Sequence, residues 1–151
     1  MKRNLAKAAA AGALALPMLA GLGGTAHAET NPACSSGVTQ IGSTAYITSG
    51  GQTFASVKQF KGCNKNYAYL YVWEGYRSTH SSWHACVSIA TTTSSGAGNT
   101  IQDVRCNDGK FTELWSSGAN TLADCTVAVG WVGYGPIPFS GEPIGRTSVR
   151  C

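Results

Sequence analysis

The chain has 151 residues, with 11 Lys+Arg against 7 Asp+Glu, and charged side chains make up only 12% of it. That length holds one domain rather than two, and the low charge density excludes a solvated disordered tail. A net charge of +4 would suit a nucleic-acid or membrane partner, but three of the cations (Lys2, Arg3 and Lys7) stand at the very start of the chain.

Residues 1–28 read as a secretory signal peptide. A basic start leads into a nearly uninterrupted Ala/Leu/Gly run from Ala8 to Gly24, which closes on Ala26-His27-Ala28, a small-x-small cleavage triplet. The run is short, rich in Gly, broken by Pro17 and lacks a basic flank after it, which argues against a membrane anchor. A single Arg with no Arg-Arg pair indicates the general secretory route, and the Ala/Gly-heavy style is bacterial. The expected location is extracellular. Removing the signal leaves 29–151, one predicted domain with eight basic and seven acidic residues. At a net charge of +1 the case for a nucleic-acid partner, or for a membrane partner after cleavage, disappears.

All six cysteines (Cys34, Cys63, Cys86, Cys106, Cys125 and Cys151) follow the signal, at spacings of 29, 23, 20, 19 and 26. No C-x-x-C pair exists, so neither a zinc knuckle nor a redox-active dithiol of that type is indicated. An even count in a small exported chain reads as three disulfides. Six cysteines allow 15 pairings; hairpin symmetry about Gly50-Gly51 and about 94–99 favours Cys34–Cys63 and Cys86–Cys106, leaving Cys125–Cys151. Each bridge would contribute roughly 3–4 kcal/mol in the chain-entropy account.

No segment carries a helical period. Short runs rich in Thr, Ser, Val, Tyr and Trp, punctuated by Gly, Asn, Ser and Pro, predict an all-β fold, a small disulfide-braced antiparallel sandwich or barrel of about eight strands. The predicted strands are 38–48, 52–61, 67–74, 84–92, 100–106, 110–116, 123–132 and 144–150. Ser49-Gly50-Gly51-Gln52 is a turn between the first two. In 67–74, Tyr67, Tyr69, Tyr71 and Trp73 face one side and Ala68, Leu70, Val72 and Glu74 the other, the pattern of a central strand in a two-layer structure. The aromatic row could be a binding face, rings on a rigid strand able to stack on sugars, or a second buried face.

Next come both post-signal histidines, His80 and His84, four residues apart. Ser81 stands where a zincin helix requires Glu, so a metal site is not indicated, and no G-x-S-x-G elbow supports a Ser/His/Asp triad with Asp103, Asp108 or Asp124. Residues 91–99 form a polar hairpin tip, and Asn107-Asp108-Gly109 is a strong hairpin turn signal. In 123–132, Cys125, Val127, Val129 and Trp131 share a face. Glu74, Glu113, Asp103 and Asp124 are scattered, with nothing to pair them as a glycosidase dyad.

The last distinctive segment, 134–143, contains Pro136, Pro138 and Pro143 and displays Tyr134, Ile137 and Phe139. Prolines hold such a loop extended, and a Cys125–Cys151 bridge would close its base, an arrangement suited to binding with little ordering entropy to lose.

These features predict a secreted, monomeric, non-enzymatic binding protein with no cofactor and no metal. The first reading is an inhibitor, such as a protease inhibitor, of an extracellular hydrolase acting through Tyr134, Ile137 and Phe139. A carbohydrate- or cell-wall-binding module using Tyr67, Tyr69, Tyr71 and Trp73 with Trp115 is the alternative, and a small hydrolase centred on His80 and His84 the enzymatic one. The expected partner is an extracellular protein or a glycan.

Overall fold

In the computed structural model the described residues are 29–136, 138 and 141–151; the signal segment 1–28 and the loop residues Ile137, Phe139 and Ser140 lie outside them. In chain order the elements are β1 (Thr39–Ser49), β2 (Gln52–Gly62), β3 (Lys65–Val72), α1 (Glu74–Thr79), β4 (Trp83–Thr91), β5 (Thr100–Gly109), β6 (Glu113–Trp115), β7 (Thr126–Trp131) and β8 (Ile144–Arg146). They form two antiparallel four-stranded sheets, ordered β1-β2-β3-β6 and β5-β4-β7-β8. Both sheets are open, so of the two predicted architectures the chain adopts the sandwich.

Alternation along the strands builds the layer between the sheets. Val57, Ala68, Leu70 and Val72 of the first sheet meet Ala85, Val87, Ile89 and Ala128 of the second, all fully buried. The sheets approach closely where β7 and β8 carry glycine inward. A Cβ on Gly130 would stand 2.6 Å from Val57 Cγ2, and one on Gly145 2.9 Å from Ile47 Cγ1. One polar pin crosses the layer: the buried Gln59 amide donates to Thr126 Oγ1 at 2.7 Å. Thr147 Oγ1 in turn accepts from the Ala128 backbone N–H at 2.9 Å, which keeps this end of the second sheet in register.

The Gly50-Gly51 turn forms as expected, with φ of +60° and +78° at the two glycines, the left-handed geometry a tight hairpin needs. The three disulfides are Cys34–Cys63, Cys86–Cys106 and Cys125–Cys151, the first two as hairpin symmetry indicates and the third as the pair left over. Cys86 and Cys106 are direct cross-strand partners of β4 and β5.

Four local expectations are corrected. First, a helical turn, α1, stands between β3 and β4. It starts at Trp73 and Glu74, so the predicted 67–74 strand ends at Val72. Its single buried side chain, Tyr76, packs on Phe54 with ring centroids 4.8 Å apart. Second, Asn107-Asp108-Gly109 is not a hairpin turn. It is the end of β5, and the chain then crosses to the first sheet, where β6 pairs with β3. Gly109, with φ of +90°, supplies the corner, and Phe111 fills the crossing by packing against Trp83. Third, the last strand is Ile144–Arg146, with Arg150 returning only as an isolated bridge to Thr126. Fourth, the Cys125–Cys151 bridge lies beside that Thr126–Arg150 pair, at the far end of β7 from the 134–143 loop. Backbone pairing closes the loop instead, through Trp131 opposite Ile144 and the Val132 N–H donated to Pro143 O at 3.0 Å.

Candidate binding site: a braced loop over the second sheet

The outer face of the second sheet carries Val127, Val129 and Trp131 of β7 beside Cys86 and Ala90 of β4, all buried. Their burial needs a cover, and the β7–β8 loop helps to supply it. Trp131, fully buried, donates its indole N–H to Gly135 O at 3.1 Å, which folds the first arm of the loop back onto the sheet. The carbonyl oxygens of Gly133 and Gly135 lie 3.7 and 3.6 Å from Cys86 Sγ. Glu142 on the return arm lies against Gly133, leaving no room there for a Cβ. The two arms are thus packed on the sheet and on each other.

Tyr134 projects from this base with 84% of its surface exposed, the most exposed large hydrophobic side chain among the described residues. Its ring stacks on His84, with centroids 4.3 Å apart and planes 22° from parallel. His84 is in turn fixed by Asp108: Nδ1 donates to the Asp108 carboxylate across the β4–β5 pair, since a carboxylate can only accept. The imidazole is 9% exposed and the Asp108 side chain 72%. An exposed aromatic therefore sits on a largely buried ring held by a carboxylate. Ile137 and Phe139, the other two predicted contacts, lie outside the described residues.

The aromatic row on the first sheet divides. Tyr67 and Tyr69 are 2% and 3% exposed and belong to a cluster with Phe60, Trp115 and Cys34 on the outer face, onto which Val38 and Tyr71 also pack. Trp115 lies 4.5 Å from Tyr69 and 5.1 Å from Phe60, ring to ring. The segment ahead of β1 helps to close this cluster through Cys34, and Glu29 pairs with Lys58. Burial, and then the hydrogen bond from its hydroxyl to Glu113 Oε2 at 3.0 Å, hold the Tyr69 phenol well above the ordinary tyrosine range. For Tyr67 and Tyr69 the second-buried-face reading is thus the one observed. At the other end Trp73 is 42% exposed and meets Tyr71 edge-on, and Arg77 lies 6.0 Å from the Tyr71 ring. Tyr46 is also exposed, on the same sheet face as Tyr71, with Ser56 between them in register.

The two histidines do not act together. His80 stacks on Tyr76 at 3.8 Å, and its Nδ1 is within hydrogen-bonding distance of Thr79 Oγ1 and Tyr76 O. His84 does find an acid, Asp108, but its Nε2 faces Cys86 Sγ at 3.6 Å where a hydrolytic triad would place a free nucleophile. No serine hydroxyl bonds to either histidine among the described residues. His84, Cys86 and Cys106 have their donor atoms within 4.8 Å of one another, a geometry a soft cation could use, but the two sulfurs are joined in a bridge. A cleft of about 310 Å³ lies at the Cys125–Cys151 end, lined by Lys61, Asn66, Leu122, Asp124 and Arg150 among others.

The His84–Asp108 pair had a sequence signature: once Cys86 is set opposite Cys106, continuing the register by two residues sets His84 opposite Asp108. The expected turn at 107–109 hid it. Comparison with known proteins finds no matching family model, no matching curated protein and no matching solved structure.

Proposed function

We propose that this is a secreted binding protein that blocks an extracellular hydrolase with the loop between β7 and β8, Tyr134 being its leading described contact. The observation that carries the reading is the combination at Tyr134: near-complete exposure on a loop whose arms are tied to the sheet by Trp131, to each other at Val132–Pro143, and to His84 by stacking. An aromatic side chain with few rotatable bonds, already held in place, loses little entropy when a partner closes on it. Pro136, Pro138 and Pro143 restrict the same backbone further. The three bridges suit a chain that must last among extracellular proteases.

Incubating the purified protein with a panel of secreted proteases and amylases tests this. A stoichiometric loss of activity in at least one enzyme is the expected result; full activity throughout the panel at molar equivalence rejects it.

A glycan-binding role keeps one specific support, the exposed Trp73 and Tyr46 on the outer face of the first sheet. Retention on chitin, cellulose or peptidoglycan that disappears with Trp73→Ala is the expected sign of that role. Absence of retention removes it.

A further inference from the structure

We propose that the Cys86–Cys106 bridge is a thiol–disulfide exchange site, in which an incoming thiolate attacks Cys106 Sγ and Cys86 departs as a thiolate against His84. Three features of the β4–β5 pair point to this. The two sulfurs differ in access: Cys106 is exposed and Cys86 fully buried, so an attacking thiol reaches one end of the bond only. The buried sulfur, the leaving group in that direction, has His84 Nε2 at 3.6 Å. The imidazole is held in that orientation because Asp108 accepts the Nδ1 hydrogen, which leaves Nε2 as the position that gains or gives up a proton.

Exchange rates depend on which sulfur is attacked and on how well the departing sulfur carries negative charge. Protonated at Nε2, His84 donates to the departing Cys86 sulfur and stabilises the thiolate; in the reverse direction it accepts the Cys86 thiol proton and restores the nucleophile. The balance is complete with two equivalents of an external thiol. The first thiolate forms a mixed disulfide with Cys106 as the Cys86–Cys106 bond breaks. The second attacks that mixed disulfide, releasing the external disulfide and the Cys106 thiolate. Two electrons and two protons pass from the external thiols to the protein.

Cys34–Cys63 shares the unequal access, Cys34 being buried and Cys63 exposed, but its sulfurs face Ser36 Oγ and the Gly37 carbonyl rather than an imidazole. Cys151 borders the cleft lined by Lys61 and Arg150, which contains no imidazole among the described residues. The exchange chemistry requires no partner on the β7–β8 loop, although Tyr134 of that loop covers His84.

Limited reduction of the purified protein by a small dithiol, followed by alkylation and mass mapping, tests the proposal. Cys86 and Cys106 should be alkylated first. His84→Ala should slow opening of this bridge about tenfold while leaving the other two unchanged, and free imidazole should restore much of the rate. Tyr134→Ala, which uncovers His84 without removing it, should open at least as fast as the parent protein. Three results would overturn the assignment: another bridge opening first, an unchanged rate in His84→Ala, or an equal slowing in Tyr134→Ala.

Discussion

The outer faces of the two sheets are both aromatic, yet they use their rings in opposite ways. On the first sheet, Phe60, Tyr67, Tyr69 and Trp115 pack on one another and are closed over in part by the segment that carries Cys34. On the second, Trp131 is buried and serves as an anchor, and the ring it helps to place, Tyr134, stands in solvent. A ring on a strand becomes core when neighbouring strands supply other rings in register, as Phe60 does opposite Tyr67 and Trp115 opposite Tyr69. A ring in a connection is displayed only when something beneath it holds the backbone. Aromatic content alone does not separate the two cases; strand register and loop anchoring do.

Paired truncations at the two anchors give the largest expected effects. Trp131→Ala and Phe60→Ala each remove a large buried side chain and should each cost about 3–5 kcal/mol in urea unfolding with the bridges intact. Their functional outcomes should part: Trp131→Ala also releases Gly135 and should abolish stoichiometric inhibition, whereas folded Phe60→Ala should keep it. Equal loss of inhibition in both variants would break the contrast between the faces. Next in size is Gly130→Ala, which forces a methyl into Val57 and should destabilise by about 1–3 kcal/mol through overpacking between the sheets.

A smaller effect belongs to Tyr69, whose phenol is held protonated by burial and by Glu113. Where the unfolded chain can release this proton and the folded chain cannot, ionisation draws the equilibrium towards unfolding. The Tyr69 contribution is therefore fully present below about pH 10, the ordinary phenol value, and is lost progressively as pH rises above it. Urea midpoints between about pH 9 and 11 should fall more steeply for the parent than for Tyr69→Phe. At neutral pH that variant should cost only about 0.5–1.5 kcal/mol, the net value of one hydrogen bond. Tyr134→Ala should have the smallest effect on unfolding, within about 0.5 kcal/mol, because its side chain is exposed.

Much of the sandwich was legible in the chain. Residues 67–74 were apolar on both sides, and β3 is indeed central in its sheet, between β2 and β6. The Gly50-Gly51 turn and two of the bridges were legible from local spacing, and the third bridge followed by elimination. The misread parts depend on which sheet a strand joins. Asn107-Asp108-Gly109 has turn chemistry, but β6 finds its hydrogen-bond partners on β3, so the turn becomes a corner between layers. α1 was missed because six residues with one buried side chain show no helical period, and Trp73 at its N-cap makes no side-chain capping bond. At the candidate site Tyr134 was singled out from its loop. Its support from Trp131, His84 and Asp108 arises from strands distant in sequence, through a register that the mistaken turn concealed.

The most direct test of the central claim is an inhibition titration of a responsive secreted hydrolase with three proteins: the parent, Tyr134→Ala and Trp73→Ala. A one-to-one end point for the parent and Trp73→Ala, with affinity reduced at least about tenfold in Tyr134→Ala, is the predicted result. An end point that survives Tyr134→Ala unchanged and disappears with Trp73→Ala would contradict the claim and move the contact surface to the first sheet.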